Sequence, residues 1–322
     1  MITRRKTISL AAGLLAASAF SVQAQDVFPS RPITLVAPFP AGSVTDSVTR
    51  VLAQALQESL GQTVVVENKA GAQGTVGAAY VARAKPDGYT LLVASSGMFV
   101  ARSFYKTLPY DPSDVTLVSG VGSTAMMFMV AETSPIKTID DLAKAVQQEK
   151  PPVTIGFGSP SGQVAVALFS TVAKGNPVPV SYRGIPQAMT DLAGGHVQVA
   201  VVDIGNGVAQ MNSARMRALA ISAAARSPAA PNVPTLQETY PRASGSIETI
   251  IAIIGPPGMP AAVVGKLDTA IRAALAKTEV KARFQTLSTA VMPLSTAELT
   301  QRIKLDNPKW EALMKKAGIE PQ

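Results

Sequence analysis

Two glycine-containing loops carry the residues of this chain that are best suited to chemistry. Residues 32–46 and 65–74 each read as a buried strand that passes through such a loop into a helix. In an open parallel sheet, these loops lie beyond the carboxyl ends of the strands, where backbone amides and helix N-termini bind anionic groups. We therefore expect both loops to open on the same sheet edge and to bind a small anion there.

The composition and motifs argue against disulfides, metal sites, a dinucleotide site and a hydrolase active site. The chain has no cysteine and a single histidine, His196, which excludes disulfides, thiol catalysis and a multi-histidine metal site. Residues 156–162 imitate a dinucleotide-binding loop, but their spacing does not fit G-x-G-x-x-G, and Arg183 stands where an acidic residue is expected. No G-x-S-x-G elbow or acid–base pair of carboxylates occurs. We expect no cofactor, no metal and no catalysed reaction.

The N-terminal segment predicts export. Arg4, Arg5 and Lys6 precede an apolar run over residues 8–20, and Val-Gln-Ala at 22–24 is a plausible cleavage site, so residues 1–24 read as a signal peptide. Either the general secretory route or the twin-arginine route is compatible with this pattern. Removal of the segment lowers the formal charge from +8 to +5. The remaining basic residues are scattered, so nucleic acid is not an expected partner, and we predict a periplasmic protein.

Alternating strand and helix patterns fill the rest of the chain. Strand, helix, strand, helix, strand is predicted over residues 32–96, with the first helix over 45–60 and a glycine stop at Gly61. Residues 115–130 are apolar but rich in Gly and Ser, which suggests two successive strands and a crossover near Val121. A second unit repeats the alternation, with a helix predicted over 163–173. An apolar strand near residues 247–254 leads back to the first unit, and the C-terminal part is helical.

These patterns predict an α/β fold with two lobes, each a doubly wound sheet flanked by helices, and a ligand cleft between them. The predicted lobe 1 contains residues 25–124 and 248–322, and the predicted lobe 2 contains residues 125–247. We expect a monomer.

Short motifs along nearly the whole chain make the sequence resemble the periplasmic solute-binding proteins of tripartite tricarboxylate transporters, the Bug family. In chain order the motifs are residues 29–33, 39–46 with Arg50, 61–62, 66–68 with 71–77, 85–92, 108–110, 182–184 with 190–195, 217–220, 233–235 and 309–310. The resemblance implies a Venus-flytrap protein that closes on a small carboxylate and delivers it to membrane permease subunits.

The resemblance, together with the strand ends, also selects the candidate ligand contacts. Those from the first lobe are Phe39, Gly42, Ser43, Val44, Thr45, Asp46, Ser95, Ser96 and Gly97. Those from the second lobe are Ser159, Ser161, Gly162, Gln163, Tyr182, Arg183, Gly184 and Asp203.

Departures from the family pattern bear on the ligand. Ser43 replaces a second glycine common in the family, and the chain has Gln163-Val164 and then Ala167 where many members have a His-Leu pair followed by an acid. A less charged pocket suits a ligand whose far portion is neutral, aliphatic or aromatic. Alternatively, Arg183 pairs with a second carboxylate. The sequence leaves both open, so we expect a mono- or dicarboxylate.

Several of these residues also have ordinary structural explanations. Thr45 or Asp46 can cap the first helix, with or without a ligand role. Asp203 can bond to a neighbouring loop, and Arg183 can be a solvated surface residue. A sensory protein that presents its ligand to a membrane receptor, or an exported enzyme, would use the same cleft.

Overall fold

A ten-stranded sheet organises residues 31–322 in a computed structural model. The structure describes residues 28–148, 151–213, 215–241 and 246–321, so the predicted signal peptide lies outside the described residues. Within these ranges, no helix is both long and apolar enough to cross a membrane.

Strands and helices alternate along most of the chain. The strands are β1 Ile33–Ala37, β2 Val64–Asn68, β3 Thr90–Ser95, β4 Thr116–Ala131, β5 Thr154–Phe157, β6 Val178–Ser181, β7 Val199–Asp203, β8 Met216–Ile221, β9 Glu248–Gly255 and β10 Ala290–Val291. The helices are α1 Val44–Leu60, α2 Thr75–Ala82, α3 Ser96–Phe99, α4 Ile139–Gln147, α5 Pro160–Ala173, α6 Ile185–Ala193, α7 Ile204–Asn212, α8 Leu236–Thr239, α9 Ala261–Ala276, α10 Thr278–Thr286 and α11 Thr296–Lys316.

The sheet contains two groups of parallel strands joined by antiparallel ones. Its order is β2-β1-β3-β9-β4-β7-β5-β6, and β8 and β10 pair with β4. In the first strand group, β1 pairs in parallel with β2 and β3; in the second, β5 pairs in parallel with β6 and β7. The crossing strands β4 and β9 pair antiparallel with each other and connect the two groups. The carboxyl ends of both parallel groups therefore supply the loops that build the site.

The prediction of two strands over residues 115–130 is wrong, because β4 is one strand that runs from Thr116 to Ala131. Its glycines do not end the strand but permit close packing. A Cβ at Gly120 would lie 2.7 Å from the Cβ of Leu294, and one at Gly122 would lie 2.7 Å from the carbonyl oxygen of Ala290. The register of β4 shifts once against β8 and twice against β9.

Two helix assignments also differ from the sequence patterns. Helix α5 begins at Pro160 rather than at Gln163, so the intervening residues belong to its first turn and not to a loop. Helix α7 was not predicted, because Gly205 and Gly207 weaken its apolar pattern. Gly207 is required by packing, since a Cβ there would lie 2.4 Å from the Sδ of Met127.

The amphipathic pattern of α1 is confirmed. Its buried residues include Val48, Val51, Leu52, Ala55 and Leu56, at the spacing expected for one buried helix face. The helix ends at a residue with φ of 63°, the left-handed conformation that glycine adopts without strain, which confirms the predicted glycine stop.

The main apolar core surrounds the second half of β4. The rings of Phe128 and Phe169 pack there with centroids 5.5 Å apart. Trp310 of α11 is buried in the same cluster.

Candidate functional site

The first wall of the site is the turn that starts α1. Ser43 has extended backbone angles, and its side-chain oxygen accepts a hydrogen bond from the amide of Asp46 at 3.1 Å. The N-cap is therefore Ser43, and the expectation that Thr45 or Asp46 caps the helix is wrong. Gly42 precedes the cap with φ of 84°, a conformation that favours glycine.

The carboxylate of Asp46 stabilises the conformation of this turn from the side away from the cavity. Its carboxylate accepts hydrogen bonds from the amide of Gly42 at 3.1 Å, from Nε of Arg50 at 3.1 Å and from Nδ2 of Asn68 at 2.9 Å. Burial alone would raise the pKa of Asp46, but the hydrogen bonds from Arg50, Asn68 and Gly42 outweigh it and lower the pKa. Asn68 also donates to the carbonyl oxygen of Phe39, so the network ties β1, β2 and α1 together.

The network leaves two backbone donors at the start of α1. The first amides of a helix have no partner within the helix. Ser43 satisfies the amides of Asp46 and Ser47 through its side chain and carbonyl, whereas the amides of Val44 and Thr45 have no acceptor among the described residues. Both residues line the cavity described next. This helix end therefore presents two donors and the positive end of its dipole to the cavity.

Two further helix starts face the same space from the second strand group. Ser159 caps α5 by accepting from the amide of Gly162 at 3.2 Å, and Pro160 at the first position has no amide hydrogen to satisfy. Asp203 is the N-cap residue of α7. Because β3 pairs antiparallel with β9, β9 with β4 and β4 with β7, the strands that precede α5 and α7 run opposite to β1. The N-termini of α5 and α7 therefore face that of α1 across the crossing strands.

These elements enclose a small cavity in which the volume open to the centre of a water molecule is about 20 Å³. The lining residues are Phe39, Ser43, Val44, Thr45, Ser95, Thr124, Gly158, Ser159, Ser161, Ile185, Asp203, Thr249 and Ile251. Room of this size holds about one water molecule. The cleft is thus nearly closed.

Four hydroxyl groups in the lining have no hydrogen-bond partner. Ser95, Thr124, Ser161 and Thr249 are all buried, and their side-chain oxygens are unpartnered. Thr124 and Thr249 are register partners on β4 and β9, so the crossing strands present them as a pair. A buried hydroxyl without a partner costs free energy, about 1–3 kcal/mol each by mutational measures. Four of them at one cavity indicate a polar ligand that satisfies them.

The lining contains one ionisable side chain, Asp203, and no Lys, Arg or His among the described residues. Burial raises the pKa of Asp203 to about 7, against the smaller lowering effect of the neighbouring Asn206 amide. A group of three or more His, Cys, Asp or Glu residues able to hold a metal ion does not occur within the described part of the chain.

Direct contacts between the strand groups close the rim of the cavity. A Cβ at Gly97 would lie 2.2 Å from the Cβ of Pro160, and one at Gly184 would lie 2.8 Å from the Cδ of Pro40. Nε2 of Gln73 donates to Oε1 of Gln163 at 3.3 Å. The two glycines therefore permit an approach that any side chain would obstruct.

The structure brings about half of the candidate contacts to the cavity. Those that line it are Phe39, Ser43, Val44, Thr45, Ser95, Ser159, Ser161 and Asp203. Those that do not are Gly42, Asp46, Ser96, Gly97, Gly162, Gln163, Tyr182, Arg183 and Gly184.

Residues of the second set have other contacts. The hydroxyl of Ser96 accepts from the amide of Ile250 at 2.7 Å and fastens α3 to β9. Gln163, Tyr182 and Arg183 line an outer groove of about 620 Å³. The Tyr182 hydroxyl donates to Asp191, and burial together with Asp191 raises the pKa of Tyr182 to about 12.

Sequence reasoning missed five lining residues: Thr124, Gly158, Ile185, Thr249 and Ile251. Thr124 and Thr249 had a weak signal, because each directly precedes an apolar run, residues 125–131 of β4 and 250–255 of β9. Gly158 and Ile185 lie beside predicted contacts. Ile251 carries no signal of its own, and its position follows from sharing a face of β9 with Thr249.

The fold and the cavity together define an α/β periplasmic-binding-protein fold, and comparison with known structures supports this class. The structure of the periplasmic binding protein BugD superposes with a TM-score of 0.85 at 32% identity, covering 92% of this chain and 100% of that one. A structure described as R. palustris Rpa4515 with adipate superposes with a TM-score of 0.86 at 27% identity, covering 92% of this chain and 100% of that one. The structure of MatC (Rpa3494) from Rhodopseudomonas palustris with bound malate superposes with a TM-score of 0.83 at 28% identity, covering 89% of this chain and 99% of that one.

Sequence comparison establishes the family. Residues 48–319 match the family described as "Tripartite tricarboxylate transporter family receptor". A relative from Bordetella pertussis, the protein BugT, is 33% identical over 307 residues, which covers 92% of this chain and 92% of that protein. The chain belongs to the tripartite tricarboxylate transporter receptor family, a family of binding proteins rather than enzymes.

Proposed function

We propose that this protein captures a small organic carboxylate in the periplasm and delivers it to a membrane transporter of the tripartite tricarboxylate type. The observation that carries the proposal is the cavity itself, where unpartnered hydroxyls of Ser95, Thr124, Ser161 and Thr249 meet the start of α1. Family membership supports the transporter as the partner, and the relatives described with adipate and with malate support a carboxylate as the ligand.

The arrangement suits a carboxylate although no cation lines the cavity. The amides of Val44 and Thr45 and the dipole of α1 attract negative charge, and hydroxyls supply further donors. An anion at a helix N-terminus gains about 0.3–1 kcal/mol, and up to about 2 kcal/mol in partly buried geometry. This helix-dipole contribution and several hydrogen bonds together can stabilise the carboxylate without a buried Lys or Arg.

Closure of two lobes is part of the proposal. We place lobe 1 at residues 25–124 and 248–322 and lobe 2 at residues 125–247, joined where β4 and β9 cross. A ligand held from both sides favours the closed state by its difference in affinity for the two states. The protein works as a monomer in this scheme.

A thermal-shift screen of the chain without residues 1–24, against aliphatic and aromatic mono- and dicarboxylates, tests the binding step. A ligand at 100 times its dissociation constant adds about 2.7 kcal/mol to the free energy of unfolding. We expect at least one carboxylate to raise the melting temperature and to make the protein more compact in small-angle scattering. A screen in which no carboxylate raises the melting temperature would contradict the proposal.

The delivery step needs a separate assay. Membrane vesicles that contain the permease subunits of a tripartite tricarboxylate transporter should accumulate the labelled ligand only when the loaded protein is added. Chemical conversion of the ligand on incubation with the protein alone would instead indicate an enzyme.

A further inference from the structure

Asp203 occupies a helix-capping position without acting as a cap. Its backbone is extended, with φ of −63° and ψ of 147°, as an N-cap residue requires, yet its side chain makes no capping hydrogen bond. An N-cap aspartate ordinarily accepts from the amide two or three residues ahead. The carboxyl of Asp203 is therefore not used to start α7, and it lines the cavity instead.

No positive charge faces this carboxyl. Among the described residues Asp203 forms no salt bridge, and the cavity lining holds no Lys, Arg or His. Arg183, which the sequence offered as the partner of a second ligand carboxylate, is exposed and lines the outer groove. A second carboxylate on the ligand would thus meet an acid rather than a cation.

The wall of the cavity opposite Asp203, at the start of α1, offers hydrogen-bond donors instead of a carboxyl acceptor. The start of α1 presents the amides of Val44 and Thr45, which suit the carboxylate of the ligand. A ligand that spans the cavity therefore has an anionic end at α1 and needs a hydrogen-bond donor at α7.

Resting on the proposed function, we propose that Asp203 is a specificity-determining residue that accepts a hydrogen bond from a hydroxyl or ammonium group of the ligand. The preferred solute is then a small hydroxy or amino monocarboxylate rather than a plain monocarboxylate or a dicarboxylate.

Isothermal titration of the signal-free protein with four three-carbon acids tests the inference. The probes are propionate, lactate, alanine and malonate. Lactate and alanine carry a hydroxyl or an ammonium group on the carbon next to the carboxylate, propionate carries neither, and malonate carries a second carboxylate. We expect lactate or alanine to bind about tenfold more tightly than propionate or malonate, since a hydrogen bond to a charged group contributes about 1.5–3 kcal/mol. A preference for lactate identifies the donor as a hydroxyl, and a preference for alanine identifies it as an ammonium group.

The variant Asp203→Asn keeps the shape of the side chain and removes its charge. It should reduce the preference for the donor-bearing acid over propionate about tenfold while propionate affinity changes less than about threefold. Asp191→Asn is the matched control, because Asp191 contacts Tyr182 outside the cavity and should leave the preference unchanged.

The outcomes separate the two proposals. Equal binding of propionate, lactate and alanine, or tightest binding of malonate, overturns the role of Asp203 while leaving carboxylate capture intact. Failure of every carboxylate in the wider screen overturns the proposed function itself. The titrations of the unsubstituted protein decide the point even where Asp203→Asn does not fold.

Discussion

Asp46 and Asp203 both lie at the start of a helix that follows a parallel strand, but their surroundings differ completely. Asp46 is buried behind its loop and accepts hydrogen bonds from Gly42, Arg50 and Asn68. Asp203 faces the cavity and has neither a capping bond nor a salt bridge among the described residues. The pKa of Asp46 is lowered by its partners, whereas burial raises the pKa of Asp203 to about 7.

The difference separates a residue that positions the site from one that is available to a ligand. Asp46 fixes the turn whose amides face the cavity, and its own carboxylate has no capacity left for a solute. Asp203 makes no capping bond and lines the cavity, so its carboxyl can accept a hydrogen bond from a ligand. Both residues are aspartates at the start of a helix, Asp46 as the third residue of α1 and Asp203 as the N-cap of α7, and their different partners distinguish their roles.

The largest expected effect comes from removing the positioning acid. Asp46→Ala leaves Gly42, Arg50 and Asn68 without their acceptor and should lower the free energy of unfolding by about 3 kcal/mol in chemical denaturation. Asp141→Ala, which removes the acid of an exposed capping box at α4, is the control and should cost about 1 kcal/mol. Equal losses in the two variants would erase the distinction between Asp46 and an ordinary surface cap.

Asp203→Asn should raise the free energy of unfolding instead of lowering it, and the size of this gain should depend on pH. The pKa of Asp203 is raised from an unfolded value of about 3.9, so its ionisation destabilises the fold as pH rises through the interval up to about 7. The variant should therefore be more stable than the unsubstituted protein at pH 8 and nearly equal to it in stability at pH 4. Melting curves at both pH values measure this, and a gain independent of pH would contradict it.

Closure of the rim can be obstructed without touching either acid. Gly97→Ala places a Cβ against Pro160 and should weaken ligand binding about tenfold by opposing the closed state. Gly265→Ala on α9 is the control, because a Cβ there has no atom within 4 Å. Scattering should show ligand-induced compaction in the control and less of it in Gly97→Ala; unchanged compaction would show that this contact does not limit closure.

The smallest expected change in stability comes from removing one of the unpartnered hydroxyls that line the cavity. Ser161→Ala removes a buried unpartnered oxygen and should stabilise the empty protein by about 0.5–1 kcal/mol while weakening ligand binding. Ser170→Ala, on the same helix, removes a hydroxyl bonded to the carbonyl of Val166 and should not share this pattern. Loss of stability in Ser161→Ala would mean that its hydroxyl has a structural partner in solution.

The sequence predicted the loop–helix starts because they depend on local signals. Apolar spacing located α1, and the family resemblance together with the ends of β1 and β5 selected Ser43, Ser159 and their neighbours. Asp203 was equally visible at the end of an apolar strand.

Local signals could not decide what each side chain contacts. Asp46 was a candidate ligand contact, and only the approach of Asn68 from β2 shows that its carboxylate is occupied. Thr124 and Thr249 were missed because their convergence depends on the pairing of strands separated by more than a hundred residues. Arg183 was placed by its sequence motif, whereas the way β6 and α6 pack directs it to the outer groove.

The central claim is that the cavity at the start of α1 selects a carboxylate. Titration with lactate and with lactamide tests it most directly, because the two molecules match in shape and differ in charge at one end. The account predicts that lactate binds and lactamide does not bind at the same concentrations. Equal affinity for the two would contradict the claim that the helix start and its amides recognise an anion.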